Sequence, residues 1–182
     1  MDKDPDQALV ARHRGGDPEA FRELVVRYQR PIYNAAFRVL GNAADAADIT
    51  QDVFLRISQH IDEYDAEHKF FSWIYRIALN ESLNMARKHG REEPLDEDAE
   101  IAGARSNEPD WHADRSELAE RVQRALNGMN VDDRAVITLR HFSDCSYREM
   151  SGILGIAEKT VKSRLFAARR RLRELLADLR PA

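Results

Sequence analysis

SYREMSGILGIAEKTVKSRLFAARRRLR, residues 146–173, breaks at Gly155 into a short helix and a longer basic one. Ser146 and Glu149 have the spacing of a capping box, which fixes where the first helix begins. Its apolar positions are Tyr147, Met150, Ile153 and Leu154, and a glycine directly after such a run readily takes the left-handed turn that ends a helix. Beyond the turn, Val161, Leu165, Ala168 and Leu172 recur at four, three and four residues, a stripe that faces a bundle. Lys159, Lys162, Ser163, Phe166 and Arg170 then point largely outward. From 159 to 173 there are seven Lys or Arg and no Asp or Glu in a chain of net charge -4, so cationic charge is concentrated on this helix. A charge run alone fits a solvated helix equally well. The capping box, the glycine turn and the preceding helix together favour a helix-turn-helix whose second helix enters the major groove of duplex DNA. Lys159, Thr160, Lys162, Ser163 and Arg164 supply short polar and cationic groups near its N-terminus, while Arg169, Arg170, Arg171 and Arg173 suit phosphates.

Upstream, Leu118, Val122, Leu126 and Met129 predict one helix, and Val136, Ile137, Leu139 and Phe142 line a second. Residues 115–182 are therefore expected to form a small four-helix bundle. Residues 91–114 carry 2 basic and 9 acidic side chains, against 12 and 14 in 1–90 and 14 and 9 in 115–182. Two prolines and the lack of periodicity make 91–114 a flexible acidic linker, with ends on the order of 25–30 Å apart as a coil and about 80 Å apart when extended. One chain can thus hold two modules at separated sites.

In residues 1–90, Asp17-Pro18-Glu19 combines a capping residue, a first-turn proline and an acid favoured by the helix dipole. Phe21, Leu24, Val25 and Tyr28 continue as a buried stripe, Pro31 is expected to kink or divide the helix, and Ile32, Ala35, Ala36, Val39 and Leu40 resume it. Gly41 and Asn42 close this helix and cap the next, which reaches about Ile61. A fourth helix is expected from His68 to Lys88, ending at Gly90. No alternating strand pattern occurs, so the fold class is all-α: two small helical domains joined by a flexible acidic linker, the second containing the helix-turn-helix.

Several classes are excluded. Cys145, the one cysteine, cannot form an internal disulfide or a thiolate metal cluster. No apolar run reaches the roughly 18 residues of a membrane span, and no secretory leader is evident, so a cytoplasmic protein is expected. No nucleophile with its base, metal cluster or phosphate-binding glycine loop is present, which points away from an enzyme and to neither cofactor nor metal. His112 and His141 lack partner residues.

Two further surfaces stand out. At about 100° per residue, Val53, Phe54, Ile57 and Ile61 gather on the core side of the 43–61 helix, and Asp48, Gln51, Asp52, Leu55 and Gln59 gather on the other. That outer face is either simply solvated or suited to a protein partner, and it repels phosphate. In the next helix Phe70, Ile74 and Ile77 have core spacing, yet Trp73, Tyr75, Arg76 and Asn80 mix aromatic, cationic and amide groups as a platform for unstacked single-stranded bases does. Residues Glu63 to Lys69, at its N-terminus, would hold a flipped base.

The motifs D-I-T-Q-D-V-F (Asp48–Phe54) and W-I-Y-R-I-A-L-N (Trp73–Asn80), followed by the helix-turn-helix of Ser146–Arg171, resemble the bacterial RNA polymerase sigma factors of the extracytoplasmic-function group. The resemblance covers nearly everything outside the linker. It implies that 1–90 is a region 2-like domain binding the clamp helices of the largest subunit of core RNA polymerase through Asp48, Gln51, Asp52 and Leu55. It further implies that Lys69, Trp73, Tyr75, Arg76 and Asn80 recognise the melted minus-10 element. Residues 115–182 would be a region 4-like domain beside the polymerase flap, reading minus-35 promoter DNA through Lys159, Thr160, Lys162, Ser163, Arg164, Phe166 and Arg170. An anti-sigma factor is an implied partner. Ala157, where relatives often have Ser or Pro, and Ala167, basic in some relatives, depart from the family pattern. A two-domain helix-turn-helix regulator acting without polymerase is the alternative.

Overall fold

The computed structural model describes residues 5–92 and 117–178, and every regular element among them is helical. The expected linker lies outside the described residues except for 91 and 92. Those two extend the fourth helix to Glu92, so Gly90 lies within a helix instead of ending one.

Helix α1 (Pro5–Arg14) is an element that the sequence pattern does not reveal, because only Leu9 and Val10 supply its apolar contact. Polar bonds complete its anchoring: buried Asp6 accepts from Arg27 and from the Tyr28 hydroxyl, and Arg14 donates to the carbonyls of Ile61, Asp62 and Tyr64. Helix α2 (Pro18–Leu40) starts as expected, with the Asp17 carboxylate accepting from the Glu19 amide at 3.0 Å. It is neither divided nor ended at Pro31. The proline lies on the exposed side, while Leu24, Tyr28, Ile32, Ala35 and Ala36 are buried on both sides of it and hold the helix together across the missing hydrogen bond.

Left-handed Gly41 (φ 75°) closes α2, and Asn42 caps α3 (Ala43–His60) by accepting from the amides of Ala44 and Asp45. A single 3-10 turn (Ile61–Glu63) then leads to α4 (Phe70–Glu92). Phe70, Ile74 and Leu79 are fully buried, and Phe70 meets the ring edges of Tyr28 at 5.6 Å and Tyr64 at 5.4 Å.

The C-terminal unit contains α5 (Glu117–Asn127), α6 (Val131–Ile137) with a π-helical turn (Thr138–Phe142), α7 (Tyr147–Leu154) and α8 (Glu158–Asp178). Ala125, Leu126, Val136, Ile137, Leu139, Met150, Ile153, Val161, Leu165 and Ala168 form its interior. Leu118 is instead 65% exposed, because α5 engages the bundle only from Val122 onward. Phe142, also expected inside, is exposed at the end of the π turn, with the Arg38 guanidinium 4.1 Å above its ring.

The two units pack on each other, α7 and α6 against α4 and α5 and α6 against α2, and their buried apolar residues form one continuous cluster. Arg134 donates to the Val39 carbonyl at 2.7 Å, and Arg87 to Asp132 at 2.9 Å. Gly41 also sits where a Cβ would lie 2.6 Å from the Asn127 side chain, so the absence of a side chain there permits this approach.

The expected helix-turn-helix is present in full. Ser146 Oγ accepts from the Glu149 amide, the Glu149 carboxylate accepts from the Ser146 amide at 2.9 Å, and Gly155 turns at φ 66°. Replacement Ser146→Ala is expected to lower the unfolding free energy by about 1 kcal/mol in urea titrations monitored by circular dichroism.

Candidate nucleic-acid and partner interfaces

On α3 the two faces separate as expected except at Phe54, which is half-buried: Val53 and Ile57 are fully buried, while Asp48, Gln51, Asp52 and Leu55 are all exposed. Leu55 is 58% exposed, and neither the two carboxylates nor the Gln51 amide has a side-chain partner among the described residues. An apolar side chain inside a ring of unsatisfied acceptors is the composition of a protein contact, not of a phosphate contact.

The five candidates on and just before α4 do not share one surface. Trp73, Arg76 and Asn80 line a cavity of about 490 Å³ with Arg56, His60 and Glu63 from α3 and the turn after it. Trp73 is held against Tyr64 at 5.4 Å and Phe70 at 5.7 Å, whereas the Arg76 and Asn80 side chains have no partner among the described residues. The same cavity takes in Arg87, one of the basic groups of this helix, and also Asn84, which the sequence pattern did not single out although it continues Asn80 at four residues.

Tyr75 stands about 200° around the helix from Trp73 and points the other way. Only 3% exposed, it packs on Phe71 at 4.2 Å, accepts from Ser143 Oγ at 3.3 Å, and burial pushes its phenol above the ordinary tyrosine range. The C-terminal unit therefore covers it. Lys69 is exposed but donates to Glu149 at 2.7 Å, coupling the α4 N-terminus to the capping box of α7. This hydrogen bond, together with those from Ser146, holds the Glu149 carboxyl down to about 2.

On α8, Lys159, Thr160, Lys162, Ser163, Phe166 and Arg170 are all exposed, Phe166 at 72%. Ser163 Oγ donates to the Thr160 carbonyl, and the Lys162 ammonium lies 5.4 Å from the Tyr147 ring centroid. Arg164 differs: it is half-buried and lies 3.5 Å from Asp132, which also binds Arg87 of α4. One carboxylate thus joins the basic helix to the cavity-bearing helix, a contact that no local pattern announces. Ser151 Oγ donates to the Ile156 carbonyl at 2.6 Å and braces the turn, and the Ala157 carbonyl accepts from Val161 despite a side chain that cannot cap. His141 has a partner after all, because Arg169 Nε donates to its Nε2 at 3.1 Å; burial and then the Arg169 and Arg140 charges lower its pKa. Cys145 is buried, and burial raises its thiol to about 12, so it is an inert filler of the seam.

Comparison with known proteins agrees with this geometry. Residues 24–92 match the family model for Sigma-70 region 2, and residues 119–172 match that for Sigma-70 region 4. The chain is 34% identical to the ECF RNA polymerase sigma factor SigW of Bacillus subtilis over 181 residues, 93% of this chain and 96% of that protein. Among solved structures it is similar to CnrH in complex with the cytosolic domain of CnrY (TM-score 0.73, 28% identity, covering 97% of this chain and all of that one). A second is the sigma factor RpoE bound to the anti-sigma factor NepR from Bartonella quintana (TM-score 0.69, 28% identity, covering 88% and 98%).

The ion pair between Lys69 and Glu149 has a defined pH signature. A carboxyl lowered from its ordinary 4.5 to about 2 contributes stability that is complete above 4.5 and is lost as pH falls toward 2. Thermal melts of the wild-type chain across that window should show the loss, and Glu149→Gln should show a shallower pH slope from a lower starting stability at neutral pH.

Proposed function

The chain belongs to the RNA polymerase sigma factors of the extracytoplasmic-function group, and we propose that residues 1–90 dock on core polymerase and grip the melted minus-10 element while residues 115–182 read minus-35 duplex. As an alternative sigma factor it directs promoter-specific initiation by binding, with no covalent step of its own, inside the cytoplasm where polymerase works. The reading of an independent helix-turn-helix regulator is not favoured, since the similarity runs through both regions and not the C-terminal one alone.

The observation that carries the docking assignment is the exposed, unpartnered face of Asp48, Gln51, Asp52 and Leu55 on an otherwise well-packed helix. For the minus-10 element, Trp73 offers a stacking surface at the mouth of a cavity whose Arg76 and Asn80 can donate to a base edge or a phosphate. For minus-35, Lys159, Thr160, Lys162 and Ser163 stand at the start of an outward-facing helix, and Arg170 can neutralise phosphate further along.

Promoter engagement separates the two units. The minus-10 and minus-35 elements lie about 25 base pairs apart, about 85 Å along B-form DNA. Here Lys69 and Glu149 are in direct contact and Arg87 and Arg164 share Asp132. The acidic segment between the units, with a reach of about 80 Å, allows the separation once the widths of the two units themselves are added to it. In the closed arrangement Lys69 and Tyr75 are engaged by Glu149 and Ser143 of the other unit, so this is a resting form of the factor. An anti-sigma partner would hold such a form by covering the same faces; the NepR complex of a structural relative supports that role.

Core polymerase captured on the immobilised chain tests the docking face. Gln51→Ala with Asp52→Ala should weaken capture at least tenfold and abolish run-off transcription, while leaving the melting temperature unchanged because both side chains are solvent-exposed. Undiminished capture would overturn the assignment.

A further inference from the structure

The seam between the units contains a second, smaller cavity, of about 230 Å³, lined by Arg30, Asn34 and Arg38 on one side of α2, Tyr75 of α4, and Phe142 and Ser143 of the C-terminal unit. Residues 30, 34 and 38 are spaced by four, so they form one row along the helix. No carboxylate lines this space. Neither guanidinium has a hydrogen bond or ion pair to another described residue, although nearly every other arginine near the seam does: Arg87 and Arg164 bind Asp132, Arg134 binds Val39, and Arg140 binds the Cys145 carbonyl. Arg38 is the more demanding of the two. One face of its guanidinium rests on the Phe142 ring and burial lowers its pKa, opposed only by the Tyr75 phenol and by no carboxylate. Stacking on an aromatic ring occupies the face of a guanidinium and leaves its in-plane N–H groups to be satisfied.

We infer that this cavity is a binding site for a phosphate-class oxyanion, held by Arg38 and Arg30 with Asn34, Tyr75 and Ser143 completing its hydrogen bonds. Ser143 Oγ already donates to Tyr75 Oη, which leaves the phenolic proton available to the anion. The space is smaller than the roughly 300–1,000 Å³ of pockets that enclose drug-sized ligands, so it takes a single phosphate group, free or at the end of a nucleotide, and not a stretch of nucleic acid. A planar donor fork and a second cation suit such a tetrahedral anion. Because α2 and α4 supply one wall and residues 142 and 143 the other, the complete site exists only when the units are together, and occupancy favours the closed arrangement by linkage. This inference stands on the seam geometry and does not depend on which promoter the factor reads.

Isothermal titration calorimetry of the full chain with inorganic phosphate, at constant ionic strength set by chloride, tests it. The wild-type chain should bind one phosphate saturably and melt at a higher temperature when phosphate is present. Arg38→Ala should weaken binding at least tenfold and remove the thermal shift. If that variant does not fold, Arg30→Gln, altered on the exposed side, carries the test and should weaken binding several-fold. Titration with AMP separates the sources: binding as tight as that of phosphate or tighter assigns the site to a nucleotide end, and weaker binding assigns it to the free ion. Absence of a saturable heat in the wild-type chain, or an unchanged affinity in Arg30→Gln and Arg38→Ala, would overturn the site.

Discussion

Helix α4 is buried from two sides, and the rest of the arrangement depends on that constraint. Phe70, Ile74 and Leu79 complete the core with α2 and α3, whereas Tyr75 is closed off by the C-terminal unit. What remains open is the strip bearing Trp73, Arg76 and Asn80. A helix packed on two sides has little freedom to shift, so the open strip is presented on a rigid support. The same helix therefore lines the open cavity and provides the docking surface for the other unit.

The strength of that docking follows from its composition. Inside each unit, side chains such as Leu24, Ile57, Leu126 and Ile153 are essentially inaccessible, and each contributes about 1.5–3 kcal/mol by leaving water. Several of the bonds across the seam are of another kind. Lys69 is about two-thirds exposed and Arg87 nearly half exposed where they meet Glu149 and Asp132. Ion pairs of that exposure contribute roughly 0–1 kcal/mol each and weaken with salt. The units are thus individually robust, while the polar connections between them, Lys69 to Glu149 and Arg87 to Asp132, are individually weak.

Local signals in the sequence translated into structure wherever short-range geometry decides the outcome. The capping box of Ser146 and Glu149, the Gly155 turn, the Asp17 and Asn42 caps and the two faces of α3 are all set within four residues, and each is found as expected. Long-range packing accounts for the differences. Pro31 leaves α2 intact because buried neighbours hold both halves, Leu118 is exposed because α5 overshoots the bundle, and α1 depends on Asp6 meeting Arg27 and Tyr28 some twenty residues away. The candidate site divides by the same rule: the α3 and α8 faces are legible from periodicity, but the fates of Tyr75, Lys69 and Arg164 are settled by residues 143, 149 and 132, which no helical wheel of their own segment includes.

Charge distribution links these observations. Acidic groups are kept on the outer face of α3, which repels a polyanion, and basic groups on the outer face of α8, which attracts one. Between these extremes single carboxylates, Glu149 and Asp132, neutralise Lys69, Arg87 and Arg164 at or beside the seam. At Arg38 the pattern stops: a guanidinium stacked on Phe142 and partly removed from water has no acid assigned to it. In a chain with an excess of acids, a stacked and partly buried guanidinium without a counter-charge stands out, and an anion supplied from solution would complete at Arg38 what Asp132 does for Arg87 and Arg164.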